Sequence, residues 1–292
     1  MSIDRLQDKI RKTKNPTVLD FDICHGHLPP HLLAEEGSFL RAYTRFCLEL
    51  LEGLRGMIPA VRFNFGGFAL QGTEGLVALS KILDHARNLG FYIFLDVPEA
   101  LSTQRAASNA ELLFADGSDW IFDGLVLSAY IGSEAIKPFA VMLAQKDKAL
   151  FVATRTGNKS AMELQDLLTG GRHVYEAKTD VVNRFKNTEA TKSGYDRVAI
   201  IGPASSAPIL HKLREKYKNL FIMVDGYDYS GANAKNCADA FDRYGHGAIV
   251  CAGTSVTAAW LAQENDGTDY ISDAKESAER MKKNLTRYFS VM

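Results

Sequence analysis

Apolar positions along this chain follow two rhythms. Short runs of five to seven residues, rich in Val, Ile, Leu and Phe, alternate with longer stretches in which apolar residues return every three or four positions. The first rhythm predicts buried strands at 17–23, 60–65, 91–97, 124–129, 149–154, 198–202, 220–225 and 248–252. The second predicts helices at roughly 38–56, 73–89, 99–114, 133–145, 160–190, 205–217, 232–244 and 255–288. The fifth of these is expected to break near Gly170-Gly171, and the last around Gly267. Ahead of the first strand, Ile3, Leu6 and Ile10 share one face of a short helix over 2–13, which Asn15-Pro16 stops.

Strand followed by helix, eight times over, implies a parallel sheet with right-handed crossovers. Eight such units in 292 residues fit a closed (β/α)8 barrel, a TIM barrel, with a short N-terminal helix. The rival is an open doubly wound sheet, but no strand is followed by a GxGxxG or GxxxxGK[ST] turn. With no linker or repeat, residues 1–292 read as one α/β domain. Residues 263–292 form a C-terminal helical extension, either packed on the barrel or reaching out as a dimer arm.

Composition narrows the partners. A net charge of −1 gives no reason to expect nucleic acid or an anionic membrane. Cys24, Cys47, Cys237 and Cys251 are widely spaced and suit free thiols in a reducing cytoplasm. The N-terminus has no apolar leader core, and no apolar run reaches membrane-spanning length.

A barrel carries its chemistry at the C-terminal ends of its strands. The first ends Asp20-Phe21-Asp22-Ile23-Cys24-His25-Gly26-His27, with both aspartates on one side. That set is either a metal site of no standard spacing or simply a polar mouth. Arg62, inside the second strand, should point into the mouth and pair with Asp22 or Asp96, because an unpaired buried charge is costly. The third strand ends at Asp96, followed by Pro98, Glu99, Ser102 and Thr103. The fifth runs into Arg155, Thr156, Gly157, Asn158 and Lys159. The seventh leads to Asp225, Asp228, Ser230 and Gly231, and the eighth to Cys251, Gly253 and Thr254. Loops after the last two strands bind phosphate in many barrels, yet these hold carboxylates and no Lys or Arg.

Several short matches recur in order. They are Asp4-Arg5-Leu6; Asn15-Pro16-Thr17 with Asp22 and Leu28-Pro29; and Gly72-x-Glu74-Gly75-Leu76. Then come Tyr130-Ile131-Gly132 with Ile136-Lys137-Pro138-Phe139, and Phe151-Val152-x-Thr154-Arg155-Thr156-x-Asn158 with Leu164-Gln165-Asp166-Leu167. Gly226-Tyr227 and Gly247-Ala248-Ile249-Val250 close the set. Together, over residues 4–260, they resemble orotidine 5′-phosphate decarboxylase, particularly its longer bacterial branch.

The resemblance implies a TIM barrel, a homodimer with its sites at the interface, no cofactor or metal, and a uridine- or orotidine-monophosphate-like ligand. It places Asp96 and Arg62 at catalytic positions, and Asp22, Thr156, Asn158, Ser230, Gly231 and Thr254 at substrate-binding ones. It also exposes losses. The family's Asp-x-Lys-Arg-x-Asp-Ile-Gly-Ser-Thr is reduced here to Asp96 and Ser102-Thr103, with Pro98 where the proton-donating lysine stands. Gly157 replaces a pyrimidine-contacting serine, Ser230 the phosphate-binding glutamine, and Thr254 the phosphate-gripping arginine. Arg62 stands for a lysine near the ribose.

Three functions are compatible with this pattern. One is a pseudoenzyme acting as a binding or regulatory subunit, paired with itself or with an active relative. The second is a repurposed enzyme whose mouth gathers Asp20, Asp22, Asp96, Glu99, Asp225 and Asp228 near His25, His27 and Cys251, suited to a divalent metal or a cationic substrate. The third is a weak decarboxylase in which Arg62, Arg155 or Lys159 replaces the lost cations.

Overall fold

A computed structural model describes residues 1–97, 101–186, 191–228, 231–263 and 265–291, with the His25 side chain excepted. Its strands are β1 Thr17–Phe21, β2 Ala60–Asn64, β3 Tyr92–Asp96, β4 Gly124–Leu127, β5 Ala149–Ala153, β6 Leu168–Thr169, β7 Arg172–His173, β8 Val198–Pro203, β9 Ile222–Asp225 and β10 Ala248–Ala252. Eight of them close a parallel barrel in the order β1-β10-β9-β8-β5-β4-β3-β2, and β6 pairs with β7 outside it. The first helices are α1 Ser2–Thr13, α2 Pro30–Glu36, α3 Phe39–Leu54, α4 Phe65–Ala69, α5 Gly72–Asn88, α6 Thr103–Phe114 and α7 Ser133–Lys146. They are followed by α8 Val174–Asn183, α9 Ala207–Lys216, α10 Ala234–Ala238, α11 Thr254–Thr257, α12 Ala259–Ala262 and α13 Tyr270–Leu285.

All eight expected barrel strands are present. The expected helix over 232–244 is cut to the five-residue α10, and two others depart from expectation where glycines intervene. Of the expected helix over 160–190, the described part, residues 160–186, is not one broken helix: a 3-10 turn, Lys159–Glu163, gives way to the β6–β7 hairpin and only then to α8. Gly170 and Gly171 sit at φ +55° and +79°, the pair of positive values a two-residue hairpin turn needs. The expected final helix is divided into α11, α12 and α13, with Gly267 at φ +76° between the last two.

Strand alternation sorts the core in two. Leu19, Phe21, Val61, Phe63, Ile93 and Leu95 face outward into the layer shared with the helices. Val18, Ala60, Tyr92, Phe94, Phe151 and Phe221 fill the barrel interior. Phe94 meets Phe151 edge to face with ring centres 5.0 Å apart, and Gly124 leaves room for the Phe94 ring.

The apolar face of α1 closes the bottom: Ile3, Leu6 and Ile10 are fully buried against that interior. Polar bonds pin the helix in place. The Ser2 hydroxyl lies 2.8 Å from the Tyr92 hydroxyl, Gln7 accepts from the Gly247 N–H at 3.1 Å, and Asp4 accepts from the Ser193 N–H at 2.8 Å. At the other end of the chain α13 packs on α3, where Tyr270 stacks on Phe46 at 5.2 Å. With one end of the barrel plugged, the open end is the C-terminal mouth.

Candidate functional site at the barrel mouth

The alternation that places Val18, Ala60, Tyr92 and Phe94 inside continues upward to Asp20, Arg62 and Asp96. Asp20 lies directly beside Arg62 in the β1–β2 register, and Asn64 beside Asp96 in the β2–β3 register. The apolar interior therefore ends in a layer of charge.

Arg62 is the centre of that layer. Its Nε donates to Asp20 Oδ1 at 2.8 Å, and one terminal nitrogen donates to both Asp20 Oδ2 and Asp225 Oδ1, the latter at 3.1 Å. The fork grips Asp20 through two parallel bonds, the geometry that suits guanidinium to carboxylate. Burial opposes the charge on Arg62, but Asp20 and Asp225 outweigh it and hold the group well above its ordinary range. The expected partners of Arg62 were Asp22 or Asp96. The structure corrects this to Asp20, which the β1–β2 register sets beside Arg62, and Asp225, which the guanidinium reaches from the end of β9.

The remaining carboxylates feel the crowding. Burial, reinforced by Asp20, pushes the Asp22 carboxyl up, against the pull of Arg62 and a hydrogen bond from Asn64. Asp96 is pushed up to about 6, chiefly by burial, with Asp20, Asp225 and Asp22 adding repulsion that Arg62 offsets only in part. Asp96 thus titrates close to neutrality.

Beside this layer lies a cavity of about 130 Å³ between β1, β2, β9 and β10. Asp20, Asp22, Asp225 and Asp228 line it against the single guanidinium of Arg62, with His27, Tyr227, Cys251, Thr254 and Thr257 completing the wall. Asp228 Oδ2 accepts from the Gly253 N–H at 2.8 Å. Cys251 is buried, and burial drives its thiol well above the ordinary range, which favours the neutral thiol. Among the described residues, no group of three or more His, Cys, Asp or Glu side chains could hold a metal ion. Asp20 is engaged by Arg62, and His27 turns its carbonyl to the Trp260 indole N–H at 3.2 Å.

The sequence-predicted site residues separate into two groups. Asp22, Arg62 and Thr254 meet in the cavity, and Asp96 lies within electrostatic reach of it. Thr156 and Asn158 do not line it. They belong to a polar cluster at the end of β5, where the Thr156 hydroxyl donates to Asn158 at 2.6 Å and its N–H to Gln165 at 2.8 Å. Arg155 is fixed there by Asp166 through bonds of 3.1 and 2.9 Å, which removes it as a free cation. Lys159 is exposed at the start of the 3-10 turn. Gly231, at φ +89°, lies outside the cavity lining. Ser230, Pro98 and Glu99 fall outside the described residues.

No family model matches the chain. The curated orotidine 5′-phosphate decarboxylase of Rhodopirellula baltica is 28% identical over 269 residues, covering 89% of this chain and 89% of its own. That of Clostridium acetobutylicum is 23% identical over 288 residues, covering 98% and 99%. Among solved structures, the UMP synthase of Leishmania donovani superposes with a TM-score of 0.76 at 21% identity. It is matched over 98% of this chain and 56% of that one, and at such identity the likeness is one of fold. This chain is related to the orotidine 5′-phosphate decarboxylases.

Of the residues singled out by the resemblance, Asp22 and Arg62 line the cavity, and Asp96 stands at the end of β3. Thr254 lines the cavity as well. Sequence reasoning missed two contacts. The Asp20–Arg62 pair needs the inter-strand register, although the shared parity of the two residues was a usable signal. The Asp228–Gly253 bond joins two loops 25 residues apart and left no signal beyond the presence of an aspartate.

Proposed function

We propose that this protein is a decarboxylase-related barrel that does not turn over orotidine 5′-phosphate and acts as a binding or regulatory subunit. The observation that carries this reading is the engagement of Arg62: the cation lining the described mouth is already held by Asp20 and Asp225. Decarboxylation leaves a carbanion that needs a proton. A guanidinium whose pKa stays above ~12 is a poor donor, and Pro98, at the family's lysine position, has nothing to donate. Losing general-acid help lowers a rate by roughly 10²–10⁴-fold. Losing a preorganised charge contact lowers it by about a further 10²–10³-fold.

The mouth is also unfavourable for the nucleotide. Four carboxylates face one guanidinium in the cavity, so a phosphate dianion meets net repulsion. A uridine- or orotidine-monophosphate-like ligand is therefore bound weakly at best. We assign the working unit as a homodimer or a heterodimer with an active relative, in the cytoplasm. Leu112 is 68% exposed and lines an apolar recess with Phe65, Leu113 and Trp120, the kind of surface a partner subunit covers. Free cysteines accord with a reducing compartment. No described helix is long and apolar enough to cross a membrane.

The test is a decarboxylation assay with orotidine 5′-phosphate on the purified protein. The reading expects no turnover above the uncatalysed background, and turnover at an enzyme's ordinary rate contradicts it. One observation favours a second reading, a repurposed enzyme: Asp96, at about 6, is suited to acid–base work near neutral pH. Metal content measured after purification without a histidine tag separates the metal-dependent form of that reading from the first.

A further inference from the structure

In barrels of this kind the loops after the seventh and eighth barrel strands, here β9 and β10, commonly cradle phosphate with backbone N–H groups. In this chain one such N–H is occupied from within. Asp225 ends β9, and Gly226 turns the backbone at φ +82°, a value that glycine adopts freely. That turn brings Asp228 across to the β10 loop, where its Oδ2 accepts from the Gly253 N–H at 2.8 Å. Both residues line the mouth cavity. A Cβ built at Gly253 would lie 3.5 Å from Asp228 Oδ2 and 3.5 Å from the Asp20 carbonyl, ordinary contact distances that put the carboxylate directly against the Gly253 backbone. The carboxylate therefore occupies the position an incoming anionic oxygen would take. The guanidinium that lines the cavity, Arg62, is held by Asp20 and Asp225.

We propose that Asp228 is a specificity-determining residue, a built-in anion that occupies the backbone donor of Gly253 and excludes phosphate-bearing ligands from the β9–β10 side of the mouth. The inference rests on the reading of this barrel as one that does not process a nucleotide phosphate. It goes further in naming the single side chain that refuses the phosphate. Two effects act together. Asp228 removes a hydrogen-bond donor, and it adds negative charge within a few ångströms of where the phosphate oxygens would sit.

The test is calorimetric titration of inorganic phosphate into the full chain at low ionic strength, comparing wild type with Asp228→Ala and Asp228→Asn. Asp228→Ala frees the N–H and removes the charge, and should bind phosphate roughly tenfold or more tightly than wild type. Asp228→Asn keeps an acceptor for Gly253 but drops the charge, and should fall between the two. Thermal melts and far-ultraviolet circular dichroism establish that each variant is folded. Should Asp228→Ala fail to fold, Asp228→Asn alone decides, because loss of charge by itself must improve binding. Folded variants that bind phosphate no better than wild type overturn the proposal. So does a wild type that already binds as tightly as Asp228→Ala. Turnover of orotidine 5′-phosphate by wild type would overturn the functional reading and this proposal with it, whereas equal phosphate binding by wild type and folded variants, without turnover, overturns the proposal alone.

Discussion

Arg62 is the residue on which the mouth depends. It sits at the top of an apolar barrel, paired with Asp20 and Asp225 and surrounded by further carboxylates. Removing it leaves those charges buried without compensation. Arg62→Met should therefore cost roughly 3–5 kcal/mol of stability in urea denaturation, and adding Asp20→Asn should recover part of the loss. Asp96 gives a pH signature. Its folded-state carboxyl titrates at about 6, above the ordinary value of 3.8. The folded protein thus holds this proton more tightly than the unfolded chain does, so ionising Asp96 destabilises the fold. That penalty is absent below about pH 4, grows as the pH rises through about 6, and is constant above. Asp96→Asn should match wild type in stability at low pH and exceed it by about 2–3 kcal/mol above pH ~7. Equal stabilities across that range would show that the carboxyl is not crowded as described. Which residues would be charged and inward-facing was legible in the sequence, because strand parity is a local property. Which of them would pair was not, because register is settled only when strands meet.

At the scale of elements, the helix α1 and the glycine contacts explain short motifs that look functional in the sequence. The Gly72-x-Glu74-Gly75 stretch is a packing device: a Cβ at Gly75 would lie 2.1 Å from the Phe68 carbonyl, so α5 can cross α4 only through a glycine. Gly75→Ala should cost roughly 1–3 kcal/mol or more, read from the urea midpoint, without changing the mouth. Leu6, fully buried where α1 plugs the barrel, should cost about 2–5 kcal/mol on truncation to alanine. The plug was readable in advance because Ile3, Leu6 and Ile10 repeat at helical spacing. The stretch after β5 was not, because apolar residues such as Leu164, Leu167, Val174 and Val181 imitate a helix across a hairpin. Only the paired positive φ values of Gly170 and Gly171 separate the two forms.

At the scale of the whole molecule, the barrel and its relatives are clear. Eight strands close in order, their inner residues fill the interior, and the relationship to orotidine 5′-phosphate decarboxylases spans nearly the full chain. The fold was legible because a barrel is written redundantly, in eight repeats of one pattern, so a misread helix does not alter the topology. The site is written once, in side chains that meet only after folding. Self-association belongs to this scale too. We expect a dimer in sedimentation experiments, and Leu112→Glu, which puts a charge on the exposed apolar recess, should shift it toward monomer. The measurement that tests the central claim most directly is calorimetric titration of the purified protein with uridine 5′-monophosphate. The structure predicts no binding tighter than the millimolar range, since Arg62 and the Gly253 N–H are both engaged by carboxylates. Saturable micromolar binding would contradict it, by showing that the mouth still receives a nucleotide phosphate.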